Sequence, residues 1–101
     1  MNVMLIAFVN GIPAAMLRLD RTNDNSAEIN INLNPVMRGK NLGSPILAAA
    51  CKYGFDTLNL SRIDAEIKPE NVASVKIFED VGFVFRSARD GLRAYSLARR
   101  H

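Results

Sequence analysis

The sequence predicts an α+β domain with a mixed sheet, its elements running in the order βββαβαββ. Three observations predict it: short runs that alternate apolar and polar residues, two stretches with apolar spacings of three and four, and Asn-Gly and Asp-Gly dipeptides between runs. At 101 residues, 49% hydrophobic and 23% charged, the chain has the size of one small domain and the composition of globular proteins. That balance excludes a disordered tail, a collagen-like repeat and a coiled coil. We read residues 1–101 as a single domain.

The first run, Val3-Met4-Leu5-Ile6-Ala7-Phe8-Val9, is apolar throughout and rich in β-formers. Its seven residues fall far short of the ~20 that span a bilayer, and no basic residue precedes it, so it reads as a strand rather than an anchor or leader. Asn10-Gly11 supplies the positive φ angles of a tight hairpin, and residues 12–19 return, with Pro13 near the start where a missing N–H does least harm. Residues 21–26 are a polar turn. In Glu28-Ile29-Asn30-Ile31-Asn32-Leu33 strict alternation places Ile29, Ile31 and Leu33 on one face.

After Asn34-Pro35 a basic, glycine-bearing loop, Arg38-Gly39-Lys40-Asn41-Leu42-Gly43-Ser44, leads into a helix marked by Leu42, Ile46, Leu47, Ala50 and Tyr53. Pro45 suits a first turn, whose N–H groups lack intrahelical partners. Residues 62–67 alternate again, with Ile63, Ala65 and Ile67 inward. Strand, helix and strand make a right-handed crossover, so the flanking strands are expected to be parallel. Pro69-Glu70-Asn71 starts a second helix over residues 72–81, with the apolar Val75, Phe78 and Val81 three apart and Gly82 as its left-handed stop. Residues 83–86 and 92–97, around Asp90-Gly91, form a last hairpin.

Thirteen basic against ten acidic residues give a formal charge of +3. The basic residues are scattered apart from Arg99-Arg100-His101, and none of their stretches interleaves aromatics, which argues against a nucleic-acid partner. The lone Cys51 permits no internal disulfide and no Cys-rich zinc site; it reads as a small buried hydrophobe, and a cytoplasmic location follows as the expectation. The loop is where chemistry concentrates. At a helix amino end, unpaired N–H groups and the positive end of the dipole together make an anion site. Gly39 and Gly43 leave room for a ligand, Arg38 and Lys40 add charge, and a phosphate or pyrophosphate is the natural occupant. The dinucleotide fingerprint G-x-G-x-x-G and the P-loop both fail on spacing.

Arg38-Gly39-Lys40-Asn41-Leu42-Gly43 resembles the R/Q-x-x-G-x-G/A pyrophosphate loop of the GNAT superfamily of acyl-CoA-dependent N-acetyltransferases. Asn71-Val72-Ala73-Ser74-Val75-Lys76-Ile77-Phe78-Glu79-Asp80-Val81-Gly82-Phe83 is similar to that family's N-x-x-S-x-x-x-Y/F-E-x-x-G-F segment, in the right order and at the right distance. The resemblance implies a GNAT-like fold and an N-acetyltransferase that moves an acetyl group from acetyl-CoA directly to a primary amine, without a metal and without a covalent enzyme intermediate. It implies that Ile31, Asn32 and Leu33 pair with the pantetheine arm where the parallel strands splay, that Arg38, Gly39, Lys40, Asn41, Leu42, Gly43 and Ser44 hold the pyrophosphate, and that Asn71, Ser74 and Phe78 lie beside the arm and thioester.

Two positions depart from the family pattern. Asn41 stands where the first loop glycine is usual, and Asn tolerates the left-handed region best after Gly. Phe78 stands where many relatives carry a tyrosine that protonates the departing thiolate; a thiol of pKa about 8.5 can leave as the anion, which slows the reaction without preventing it. Glu28, on the strand leading to the acyl site, is the candidate proton acceptor, while Tyr95 reads as a packing residue.

By the same resemblance the chain is a short form lacking the amino-terminal strand and helices. An all-apolar first strand reads as covered on both faces, so a second copy in a homodimer or another chain segment is expected to complete it. The acceptor is expected to be a small amine; Ile67-Lys68-Pro69-Glu70-Asn71-Val72-Ala73-Ser74 is similar to a run in relatives acting on nucleotide-linked amino sugars. The alternatives are an acyl-CoA-binding module without activity and, third, a nucleic-acid binder using the basic loop. No membrane partner is expected.

Overall fold

The computed structural model describes residues 2–37 and 39–99. Strands β1 (Asn2–Val9), β2 (Ile12–Arg21) and β3 (Ser26–Leu33) form the expected antiparallel meander. Helix α1 (Gly43–Asp56) crosses to β4 (Arg62–Ile67), helix α2 (Val72–Val81) follows, and β5 (Val84–Arg89) and β6 (Leu92–Ala98) close the chain. The expected mixed sheet is present with six strands, in the order β1-β2-β3-β4-β6-β5, so the last strand inserts between β4 and β5.

Turn chemistry fixes the hairpins. Asn10 and Gly11 have φ of 51° and 78°, and Asp90 and Gly91 have 52° and 77°, the paired left-handed conformations of a type I′ turn. Asn71 caps α2 by accepting from the Ser74 N–H at 3.2 Å, and Gly82 ends that helix at φ 112°.

The core lies on one face of the sheet. Leu17, Leu19, Ile29, Ile63, Ala65, Ile67 and Tyr95 pack there with Leu47, Ala50 and Cys51 of α1 and Phe78 of α2. Burial pushes the Cys51 thiol up to about 12, so it stays neutral and serves as packing. The other face is open. Along β1, Val3, Leu5 and Ala7 pack against the core while Met4, Ile6 and Phe8 are 57%, 53% and 62% exposed. The expectation that this strand is covered on both faces is met on one face by this chain, because β1 is an edge strand and both helices sit on the core side.

One break in the sheet positions everything that follows. β3 and β4 are parallel, as expected, but pair only at Ser26↔Arg62, Ala27↔Ile63 and Glu28↔Asp64. Past Glu28, β3 continues to Leu33 against β2 and β4 continues to Ile67 against β6. The two strands part, opening a fork whose β3 edge has main-chain groups without a strand partner.

Candidate functional site

The fork opens into a cleft of about 800 Å³ on the helix side, within the size range of small-molecule sites. Its walls are the end of β3 (Ile31, Asn32, Leu33), the loop and first turn of α1 (Gly39, Asn41, Leu42, Gly43, Ser44) and the first turn of α2 (Asn71, Ser74). Ten of the residues singled out from the sequence thus converge on one cavity. Arg38 lies outside the described residues, as do Arg100 and His101.

Local chemistry explains the shape of the loop. Asn34 ties its start to β2, donating from its backbone N–H to Ala14 O and from Nδ2 to Pro13 O, both at 2.8 Å. Met37, buried at 5% exposure, anchors the next turn and lines the cleft. Gly39 and Asn41 then take φ of 79° and 56°, so the asparagine does adopt the left-handed conformation its substitution for glycine demands. The first intrahelical bond of α1 runs from Ile46 N–H to Leu42 O. Ahead of it, the Gly43 and Ser44 amides find no acceptor among the described residues, no side chain caps the helix, and Pro45 has no N–H to satisfy. Among the described residues, two donors at the positive end of a 14-residue helix that lines the cleft are therefore unpaired.

Gly43 differs from its expected role. A Cβ there would lie 2.5 Å from Ile77 Cδ1 and 3.4 Å from Leu33 Cδ1, so the missing side chain lets α2 approach α1, not only a ligand. At Gly39 a Cβ would meet nothing within 4 Å, and the requirement is its positive φ. Asn71 also carries a double duty: Oδ1 is used in the cap, which leaves Nδ2 to donate to a ligand.

Two residues expected at the site, Lys40 and Phe78, do not line the cleft, and a third, Glu28, stands at its vertex but on the far face. Lys40 is exposed and does not line the cleft. Phe78 is 2% exposed and turned into the core, its ring edge against Phe83 at 4.9 Å between centroids. Glu28 sits at the vertex of the fork but, by strand alternation with the inward Ala27 and Ile29, points to the open face of the sheet. There it faces Asp20 on β2 and Asp64 on β4 in register, with Glu66 close enough to act on it. Burial first, then the charges of Glu66, Asp20 and Asp64, raise its pKa, with Arg18 opposing. Arg18 pairs with Asp20 at 2.9 Å and Arg62 with Asp64 at 3.0 Å, while the Ser96 hydroxyl donates to Asp64 at 2.7 Å.

Sequence reading missed Ala73, Lys76, Ile77 and Asp80 of α2 and Met37 of the loop, all on the cleft wall. The signal for the α2 set was their i, i+3, i+4 and i+7 spacing, one helix face opposite the one occupied by Val75 and Phe78. Ser44 Oγ lies 3.4 Å from Asp80 Oδ2, a long bond that joins the first turn of α1 to α2.

Residues 9–84 match the acetyltransferase (GNAT) domain family. An uncharacterized N-acetyltransferase, p20 of Bacillus licheniformis, is 39% identical over 57 residues, 56% of this chain and 32% of its own length. Spermidine N(1)-acetyltransferase of Vibrio cholerae is 36% identical over 59 residues, 58% of this chain and 34% of its own. The chain thus spans about a third of the length of the curated relatives it matches. Among solved structures, the N-acetyltransferase PseH of Campylobacter jejuni superposes with a TM-score of 0.88 at 15% identity, over 98% of this chain and 69% of that one. The same enzyme has been solved in complex with acetyl coenzyme A. The GNAT domain of S. lividans PAT gives 0.85 at 24% identity, over 97% and 61%. No helix is long and apolar enough to cross a membrane among the described residues.

Proposed function

Because the chain belongs to the GNAT acetyltransferase family, we propose that it binds acetyl-CoA in the forked cleft and passes the acetyl group to a primary amine of a small acceptor. The observation that carries this is the uncapped amino end of α1 opening onto the same cavity as the unpaired edge of β3. The amides of Gly43 and Ser44 hold the diphosphate. The pantetheine arm pairs with the free β3 edge from Leu33 toward Glu28, bringing the thioester to the vertex, and the Asn71 carboxamide donates to the arm from the other wall.

The reaction then needs little from side chains. The amine nitrogen attacks the thioester carbonyl, the new C–N bond forms and the C–S bond breaks. Main-chain N–H groups past Glu28 on β3 are placed to steady the developing oxyanion. Glu28 takes the proton the nitrogen sheds, directly or through a water, and its raised pKa makes it a better base than an ordinary carboxylate. Phe78 lies in the core and has no proton to give, and the sulfur departs as the thiolate. The carboxylates of Asp20, Glu28, Asp64 and Glu66 on the open face favour a protonated amine as acceptor; the nucleotide-linked amino sugar named from sequence fits that face only if its phosphates lie away from it. Completion of the open β1 face by a second copy, or by another segment, accords with its exposed Met4, Ile6 and Phe8.

The test is to titrate acetyl-CoA while following backbone amide shifts, then to measure free thiol release with amines ranging from polyamines to amino sugars. Shifts at Asn41, Gly43, Ser44 and Asn71 with amine-dependent thiol release support the proposal. Shifts without release under any acceptor mark an acyl-CoA-binding module, and no shifts in the loop overturn the assignment of the cleft.

A further inference from the structure

Lys76 and Asp80 are the charged side chains on the cleft wall among the described residues, one turn apart on α2 and facing the open amino end of α1. Their placement is fixed, because Ile77 between them seats against Gly43. Lys76 forms no ion pair among the described residues, and Asp80 is the acceptor for Ser44 Oγ. Among the described residues, an unpaired ammonium thus lines the same cavity as two unpaired main-chain donors, with the Asp80 carboxylate on the same helix face. Of the basic loop residues, Lys40 does not line the wall, and Arg38 lies outside the described residues.

We propose that Lys76 is a specificity-determining residue for the cosubstrate, closing the diphosphate site from α2, and that Asp80 opposes it. The inference rests on the acetyl-CoA reading of the cleft. The α1 end binds one side of the diphosphate with amide donors and dipole, which carry no net charge. Lys76 supplies the full charge on the other side, and an anion held between a helix end and an ammonium has charge-assisted bonds on both flanks. Asp80 lowers the affinity the site would otherwise have, through like charge toward the same phosphates. The two side chains therefore have opposite signs of effect although they share one helix face. A thioester without phosphates should ignore both.

Lys76→Gln and Asp80→Asn separate these roles, since Asn keeps an oxygen acceptor for Ser44 and both positions are exposed enough for the fold to survive. Affinity is measured for acetyl-CoA and for S-acetylpantetheine, which lacks the diphosphate, at two salt concentrations. Lys76→Gln is expected to weaken acetyl-CoA binding about tenfold and flatten its salt dependence. Asp80→Asn is expected to tighten it about twofold, and S-acetylpantetheine is expected to bind all three proteins alike. Equal weakening for both thioesters by Lys76→Gln, or unchanged acetyl-CoA affinity while the parent protein binds it, overturns the role of Lys76 alone. Failure of the parent protein to bind acetyl-CoA overturns the cleft assignment with it.

Discussion

The two sides of the fork between β3 and β4 are chemically opposite. On the helix side the vertex leads to the Gly43 and Ser44 amides, unpaired among the described residues, the Asn71 carboxamide and Lys76, a wall mostly of donors with the Asp80 carboxylate among them. On the open side the same vertex carries Asp20, Glu28, Asp64 and Glu66, a wall of acceptors. One strand, β3, serves both, because alternate residues face opposite ways. In the proposed reaction, an anionic thioester carrier and a cationic amine approach one carbonyl from opposite faces of the sheet. A second contrast sits inside the donor wall. Both helices present amino ends to the cleft, but α2 is closed by its own Asn71 whereas α1 is left open. The open end is the one that needs an anion.

The sharpest way to break this contrast is to disturb the open end. Gly43→Val drives a Cβ into Ile77 and places its branches near the two free amides. Overpacking of this kind costs about 1–3 kcal/mol. Acetyl-CoA affinity, measured by calorimetry, is expected to fall about a hundredfold. The double variant with Ile77→Ala is expected to recover about half of the loss in melting temperature but little of the affinity, since relief on the α2 side leaves the new branches over the donors. Full recovery of affinity would show that Gly43 matters only for helix packing.

Asn71 probes the closed end. Asn71→Ala removes the cap and is expected to cost about 1 kcal/mol of stability in urea melts. Asn71→Asp keeps an acceptor for the Ser74 N–H, so stability is retained, but it has no Nδ2 to donate and sets a carboxylate beside the ligand. Binding of acetyl-CoA is expected to drop about tenfold in Asn71→Asp at unchanged stability. If the two losses track each other instead, the side chain is a cap and nothing more.

Much of this was legible in the sequence where a local rule decides. Asn10-Gly11 and Asp90-Gly91 announce their turns because few other residues accept those φ angles, and Asn71 with Gly82 marks both ends of α2. The loop was legible for the same reason, down to Asn41 in the left-handed region. What stayed hidden depends on distant pieces meeting. The insertion of β6 between β4 and β5 is set by pairing Arg62↔Ala98 through Ile67↔Arg93, across an intervening helix and strand. The presence of Lys76 and Asp80 on the wall depends on the rotation of α2, which the contact of Ile77 with Gly43 decides. Phe78 belongs to the site by resemblance, whereas the fold buries it in the core, on the side of α2 it shares with Val75. The carboxylate wall draws Asp20, Glu28 and Asp64 from three strands, and no window of sequence contains all three.

The smallest expected effect comes from the acceptor wall and has a defined direction. Glu28 holds its proton more tightly in the folded chain than its ordinary value of 4.5 implies, chiefly through burial and then through its three acidic neighbours. Below 4.5 the carboxyl is neutral in both states and carries no penalty. As pH rises through that value the unfolded chain releases the proton first, so the folded state binds more protons and stability declines until Glu28 is ionised in both states. Glu28→Gln cannot ionise, and its urea midpoint is expected to fall less than that of the parent between about pH 4 and pH 7. Acceptor-dependent thiol release behaves in the opposite sense: it is expected to rise with pH across the same window in the parent, as the base becomes available, and to stay low in Glu28→Gln. Stability and activity moving in opposite directions over one titration is the signature of a strained carboxylate used as a base. Parallel stability curves for the two proteins would show that Glu28 does not carry the pH dependence and would remove it as the base.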